Sequence, residues 1–161
     1  RSWGHAYELG LKAPEIGLDE PHPSYQVEGL AEFTATLQNF QSMNDTLILC
    51  RFAQVGNAVS LTNVVEWFNL VTGREVGVDD LMKVGERVFT LKRLYNTRLG
   101  VSRKDDFLPP RFLTHNRDDE ELTNQLPPLG QMLSDYYAYR RWSETGIPSA
   151  EKLAELDLST L

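Results

Sequence analysis

Cysteine is almost missing from this chain: Cys50 is the only one in 161 residues. A lone thiol excludes an internal disulfide. No second cysteine follows it at zinc-finger or iron–sulfur spacing, so no local metal motif exists. Sparse cysteine suits a reducing cytoplasm. Long apolar runs are missing too, and no signal-peptide pattern opens the chain, which argues against a membrane protein. Positive charge is in deficit, with 16 Lys and Arg against 23 Asp and Glu and a net charge of −7. The arginines of 87–104 are interleaved with Glu86, Asp105 and Asp106, so no basic stripe for nucleic acid forms. Alternating strand patterns, repeats, a Walker loop, a dinucleotide glycine fingerprint, a nucleophile elbow and HExxH are all absent. The first residue is Arg1 rather than methionine, so a piece of a longer protein is expected.

What remains reads as helix. Hydrophobic residues make up 41% and charged residues 24%, a composition that folds as one domain around a hydrophobic core. Glycines and prolines crowd residues 1–26, which predicts an irregular entry segment. Val27, Leu30, Phe33, Leu37 and Phe40 recur at helical steps and predict a helix over about 24–42. Asn44 or Asp45 has the side chain to cap a following helix. Ser60 is a second capping type, Leu61, Val64, Val65, Phe68 and Val71 form one face, and Gly73 is a stop signal. Asp79 can cap the next helix. Leu81, Val84, Val88, Leu91 and Leu94 or Tyr95 line its predicted inner face, and Gly100 ends it. Residues 101–127 read as a proline-rich loop. Two further helices are expected in "LGQMLSDYYAYRRW" and "TGIPSAEKLAELDL". The expected fold is all-α: an orthogonal bundle of about six helices with proline-rich loops, the helical domain spanning 27–161.

Few residues suggest chemistry by themselves. Cys50 stands behind Leu47, Ile48 and Leu49, where a thiol ordinarily fills a core. His5 shares a short segment with Arg1 and Trp3 and is a candidate proton-transfer group. His22 and His115 read as surface residues. Asp45 can cap a helix, or accept two parallel hydrogen bonds from a planar donor edge such as a pterin's. Asp105 and Asp106, beside Arg103 and Lys104, read as a solvated turn. Tyr136, Tyr137, Tyr139 and Trp142 read as packing aromatics.

Three stretches, in order, resemble the C-terminal region of the tungsten-dependent aldehyde ferredoxin oxidoreductase family. "NDTLILCRF" is similar to that family's D-x-x-G-L-C-x-F segment. "VTGREVGVDDLMKVGERVFTLKRLYNTRLGVSRKDDFLPPRF" resembles its long helix, with G-E-R, an arginine–aromatic–asparagine run and then D-x-L-P. "MLSDYYAYRRWSETGIPSAEKLAELDL" resembles its terminal Y-Y, R-x-W, G-x-P and K-L pattern. "RSWGH" adds a short match at the start. Two positions depart from the pattern: Ile48 and Ser2 stand where the family has glycine.

The resemblance implies a tungsten bis-pterin cofactor and one 4Fe–4S cluster in a longer parent chain. It makes Cys50 the fourth cluster ligand, the other three lying upstream. It gives Asp45 and the Leu49 backbone to a pterin, and puts His5 near the metal as a hydrogen-bonding or proton-transfer partner of the substrate. The implied reaction oxidises an aldehyde to a carboxylic acid with ferredoxin as acceptor, in the cytoplasm. The upstream domains are the expected partner, and a homodimer of the parent is expected from the family. The 161 residues alone are expected to be inactive. Two readings stand beside this one: the same cofactors with another reaction, such as aromatic thioester reduction, and a non-catalytic helical interaction module.

Overall fold

Ser60 begins a helix by the route its side chain suggests. Its Oγ accepts the Asn63 N–H at 3.1 Å, and Asn63 Oδ1 accepts the Ser60 N–H at 3.2 Å. This capping box satisfies two donors that a helix start leaves open. In the computed structural model, which describes residues 12–23, 26–54, 58–115 and 126–160, that helix is the second of six. They are α1 Leu30–Thr46, α2 Leu61–Thr72, α3 Val78–Arg98, α4 Arg111–Thr114, α5 Leu129–Arg140 and α6 Ala150–Glu155. Short 3-10 turns occur at Pro14–Ile16, Arg51–Ala53 and Arg103–Asp105. Among the described residues the only β pairing is two isolated bridges, Ala13 with Leu18 and Trp142 with Pro148. The fold is all-α.

α1 is the central element and packs on α3 and α5, while α2 packs on α3. Leu37, Phe40 and Met43 of α1 meet Leu61 and Val64 of α2 and Leu81 of α3 in the main core. Each such side chain removed from water contributes about 1.5–3 kcal/mol. Gly85 brings α3 onto α1. A Cβ there would lie 2.0 Å from the Asn39 carbonyl oxygen.

Three local expectations need correction. α1 starts at Leu30, after Gly29, and runs on to Thr46. Asn44 and Asp45 therefore belong to its last turn and cap no following helix. Asp79 is not the cap of α3. Gly77 precedes that helix, and its N–H donates to Asp80 Oδ2 at 2.8 Å. The inner face of α3 is also rotated from the expected one. Leu81, Gly85, Thr90 and Arg93 are buried, while Leu91 and Tyr95 are exposed. The cause is polar: Arg93 has partners inside that no apolar periodicity reports.

Four helices end in the same way. A residue at positive φ follows the helix, and two backbone N–H groups turn back onto its last carbonyls. These residues are Ile48 after α1, Gly100 after α3, Arg141 after α5 and Asp157 after α6. At α5 the Trp142 N–H reaches the Tyr137 carbonyl at 2.8 Å and the Arg141 N–H reaches Ala138 at 3.0 Å. This is the Schellman pattern, in which glycine is usual. Three of these four ends use another residue.

Candidate functional site

The last turn of α1 and the segment just after it carry most of the residues singled out above. The Leu49 N–H donates to the Asn44 carbonyl at 3.0 Å, and the Ile48 N–H to that of Asp45 at 3.2 Å. Ile48 takes φ 57°. The β-branched residue thus adopts the backbone conformation that glycine adopts easily, and its side chain is 91% exposed. The reversal turns Leu49 against the main core and leaves Cys50 on the surface. The expectation of a buried, core-filling thiol is therefore wrong. Asp45 is also exposed. Asp45, Leu49 and Cys50 lie on one short segment at the end of α1, whereas His5 lies outside the described residues.

After Cys50 the chain makes one 3-10 turn, with the Ala53 N–H on the Cys50 carbonyl at 3.0 Å. It then buries Gln54. Among the described residues, no group of three or more His, Cys, Asp and Glu side chains could hold a metal ion. On those residues Cys50 is a single available thiol, and any cluster bound there takes its other ligands from elsewhere.

The other stretches that carried the resemblance form a second, buried centre. Arg93 Nε donates to the Gly146 carbonyl at 2.7 Å and Nη1 to Asp106 Oδ1 at 3.0 Å. Its Nη2 is 2.8 Å from Asp106 Oδ2, off line for a hydrogen bond. The Tyr137 hydroxyl donates to the same carboxylate. Burial pushes the Tyr137 phenol up to about 12, with the Asp106 carboxylate adding to the shift. Burial opposes the Arg93 charge, but Asp106 more than restores it, so that guanidinium holds its proton more firmly than usual. Asp106 is thus no solvated turn residue.

Arg140 is 1% exposed and forms no ion pair among the described residues. Instead it donates to Asn39 Oδ1 at 2.6 Å, Gln38 Oε1 at 2.8 Å, the Ala35 carbonyl at 3.1 Å and the Tyr136 hydroxyl at 3.1 Å. Its guanidinium lies 4.5 Å from the Phe89 ring centroid. Burial raises the Tyr136 phenol against the opposing pull of Arg140. This centre ties α5 to α1 and α3, and its residues act as scaffold. Sequence reasoning missed Asn44, Gln54, Arg93, Asp106 and Arg140. The arginine–aromatic–asparagine, D-x-L-P and R-x-W matches were the signal that could have found the last three.

Comparison with known proteins agrees with the fold. Residues 1–158 match the family model described as aldehyde ferredoxin oxidoreductase, domains 2 and 3. The tungsten-containing aldehyde ferredoxin oxidoreductase of Pyrococcus horikoshii is 33% identical over 122 residues, 75% of this chain and 20% of the relative. That of Pyrococcus furiosus is 31% identical over 123 residues, 76% of this chain and 20% of the relative. The chain therefore spans about a fifth of the length of these curated relatives. Among solved structures, the active-site complex BamBC of benzoyl coenzyme A reductase, bound to 1,5-dienoyl-CoA, superposes with a TM-score of 0.67. It covers 91% of this chain and 23% of its own, at 24% identity, a likeness of fold. With the family model spanning nearly the whole chain, this protein belongs to the aldehyde ferredoxin oxidoreductase family.

Proposed function

We propose that this chain is the C-terminal helical part of a tungsten-pterin, iron–sulfur oxidoreductase that converts aldehydes to carboxylic acids. The observation that carries the reading is the exposure of both Cys50 and Asp45 on the same short segment. A thiolate that ligates iron must reach a partner outside its own core, and Cys50 is turned outward. The donor set fits the cofactors. Cluster iron takes cysteine thiolate, and a carboxylate accepts paired donors from a pterin edge. Ile48, which stands where the family has glycine, takes a left-handed backbone that glycine adopts readily.

In this reading Cys50 holds one iron of a 4Fe–4S cluster, Asp45 accepts hydrogen bonds from a pterin, and the Leu49 backbone lies against it. His5 moves a proton near the substrate. When bound, the tungstopterin supplies the two-electron oxidation of an aldehyde and water to a carboxylic acid, two protons and two electrons. Ferredoxin accepts the electrons. The rest of the parent chain supplies the remaining ligands, so the 161 residues are inactive alone.

The full-length parent, produced with tungsten, tests this. Tungsten and about four irons per subunit are expected, with most iron lost in Cys50→Ala. A parent lacking both metals would leave a helical interaction module. Unchanged iron in Cys50→Ala would remove Cys50 from the ligand set. A parent that reduces aromatic thioesters and leaves aldehydes untouched would replace the reaction while keeping the site.

A further inference from the structure

Residues 44–54 run out to the surface and back, with Leu47 and Leu49 packed against the core between their ends. The two ends, Asn44 and Gln54, are 0% and 3% exposed. Their amides pair reciprocally: Asn44 Nδ2 donates to Gln54 Oε1 at 2.8 Å, and Gln54 Nε2 donates to Asn44 Oδ1 at 3.0 Å. Asn44 holds the excursion at a third point, because its carbonyl accepts the Leu49 N–H. Cys50 therefore follows directly after one tie to Asn44 and shortly precedes another.

A surface excursion does not need such a neck. The Schellman turn already ends α1, and a glutamine in solvent would lose nothing. Burying two amides costs desolvation, which only the complete pair offsets, and removing one partner leaves the other unpaired in the core. What the neck adds is a fixed direction for the segment between its ends.

We infer that Asn44 and Gln54 are positioning residues that set the direction of the Cys50 thiolate before it ligates iron. This rests on the reading of Cys50 as a cluster ligand. The pair touches no cofactor; it acts through the backbone of 45–53.

The test uses the holo parent with Gln54→Met, which keeps length and loses the amide, and with Asn44→Leu/Gln54→Met, which leaves no buried amide unpaired. Amide hydrogen exchange over 45–53, iron content, and the spectrum and reduction potential of the cluster are read together. Loss of the pair removes two buried hydrogen bonds and should speed exchange in this segment by roughly tenfold or more. It should also alter the cluster spectrum and potential in both variants. If Gln54→Met fails to fold, the double variant carries the test. Unchanged exchange in both variants overturns the inference. So does faster exchange with an unaltered cluster, while iron loss in Cys50→Ala keeps the functional reading intact. Iron retained in Cys50→Ala removes the reading and this inference together, a pattern distinct from either failure of the neck.

Discussion

Leu49 is tied to Asn44 by a 3.0 Å backbone hydrogen bond that spans Ile48 at φ 57°. The helix end is kept although the residue at its turning point is a poor one for it. An L-residue in the left-handed region costs about 1–2 kcal/mol, and a β-branched side chain is the least suited. Ile48 regains nothing through packing, being 91% exposed. Ile48→Gly should therefore stabilise the chain by about 1 kcal/mol, after the added entropy of glycine in the unfolded state. Equilibrium denaturation measures it. A loss of stability would mean that the isoleucine side chain makes a contact worth more than the strain.

Gly85 should tolerate no side chain. A Cβ there would stand 2.0 Å from the Asn39 carbonyl oxygen and 3.1 Å from Met43 Cβ. Neither backbone atoms nor a packed helix can yield that much without α1 and α3 separating. Asn39 also accepts from Arg140, so the displacement would reach the second buried centre. Gly85→Ala should cost roughly 3 kcal/mol or more, seen as a lower denaturation midpoint. A neutral result would mean that the two helices are less closely held than this contact requires.

What could be read in advance was local. Ser60 and Gly73 mark the two ends of α2 through bonds within a few residues, and both work as their chemistry suggests. Of the expected packing aromatics, Tyr137 and Trp142 are buried and Tyr136 is partly so, whereas Tyr139 is exposed. Hidden features depended on distant partners. Thr90 and Arg93 face inward while Leu91 faces out, because Asp106 and Gly146 wait for the guanidinium. Apolar periodicity cannot show that. The exposure of Cys50 turns on Ile48, whose residue type suggests core filling and whose backbone angle reverses the chain. The Asn44–Gln54 pair joins two polar residues with no periodic signal between them.

Arg140 should not accept lysine. Its planar fork reaches Asn39, Gln38, the Ala35 carbonyl and the Tyr136 hydroxyl, on two helices, from a site with 1% exposure. A lysine ammonium has three donors around one point and no plane to lie against Phe89. Several of these acceptors would be left dry and unpaired. Arg140→Lys should cost about 3 kcal/mol, with no change in net charge. An unchanged unfolding midpoint would show that charge alone, without the fork, holds α5 to α1.

The Tyr137 hydroxyl gives the fold an alkaline limit. An unfolded tyrosine ionises near pH 10, while in the folded chain Tyr137 holds its proton up to about 12. Between those values the folded state binds the proton that the unfolded chain has released. Stability must then fall as pH rises across that window, and the full contribution is present below it. Ionised Tyr137 would also set a second negative charge against Asp106, with Arg93 between them and the Arg103 guanidinium 5.5 Å from the Tyr137 ring centroid. Tyr136, raised by burial, should add a share of the same sign. Tyr137→Phe cannot ionise, so its stability should decline less steeply over this range, the remaining slope belonging to Tyr136 and other alkaline groups. At neutral pH the variant should lose only about 1 kcal/mol, the net worth of one hydrogen bond, because Asp106 keeps Arg93. Urea unfolding at several pH values between about 8 and 12 reads both effects. Parallel curves for the two proteins would mean that Tyr137 ionises alike in both states, and that its bond to Asp106 does not bind the proton as tightly as burial and that carboxylate require.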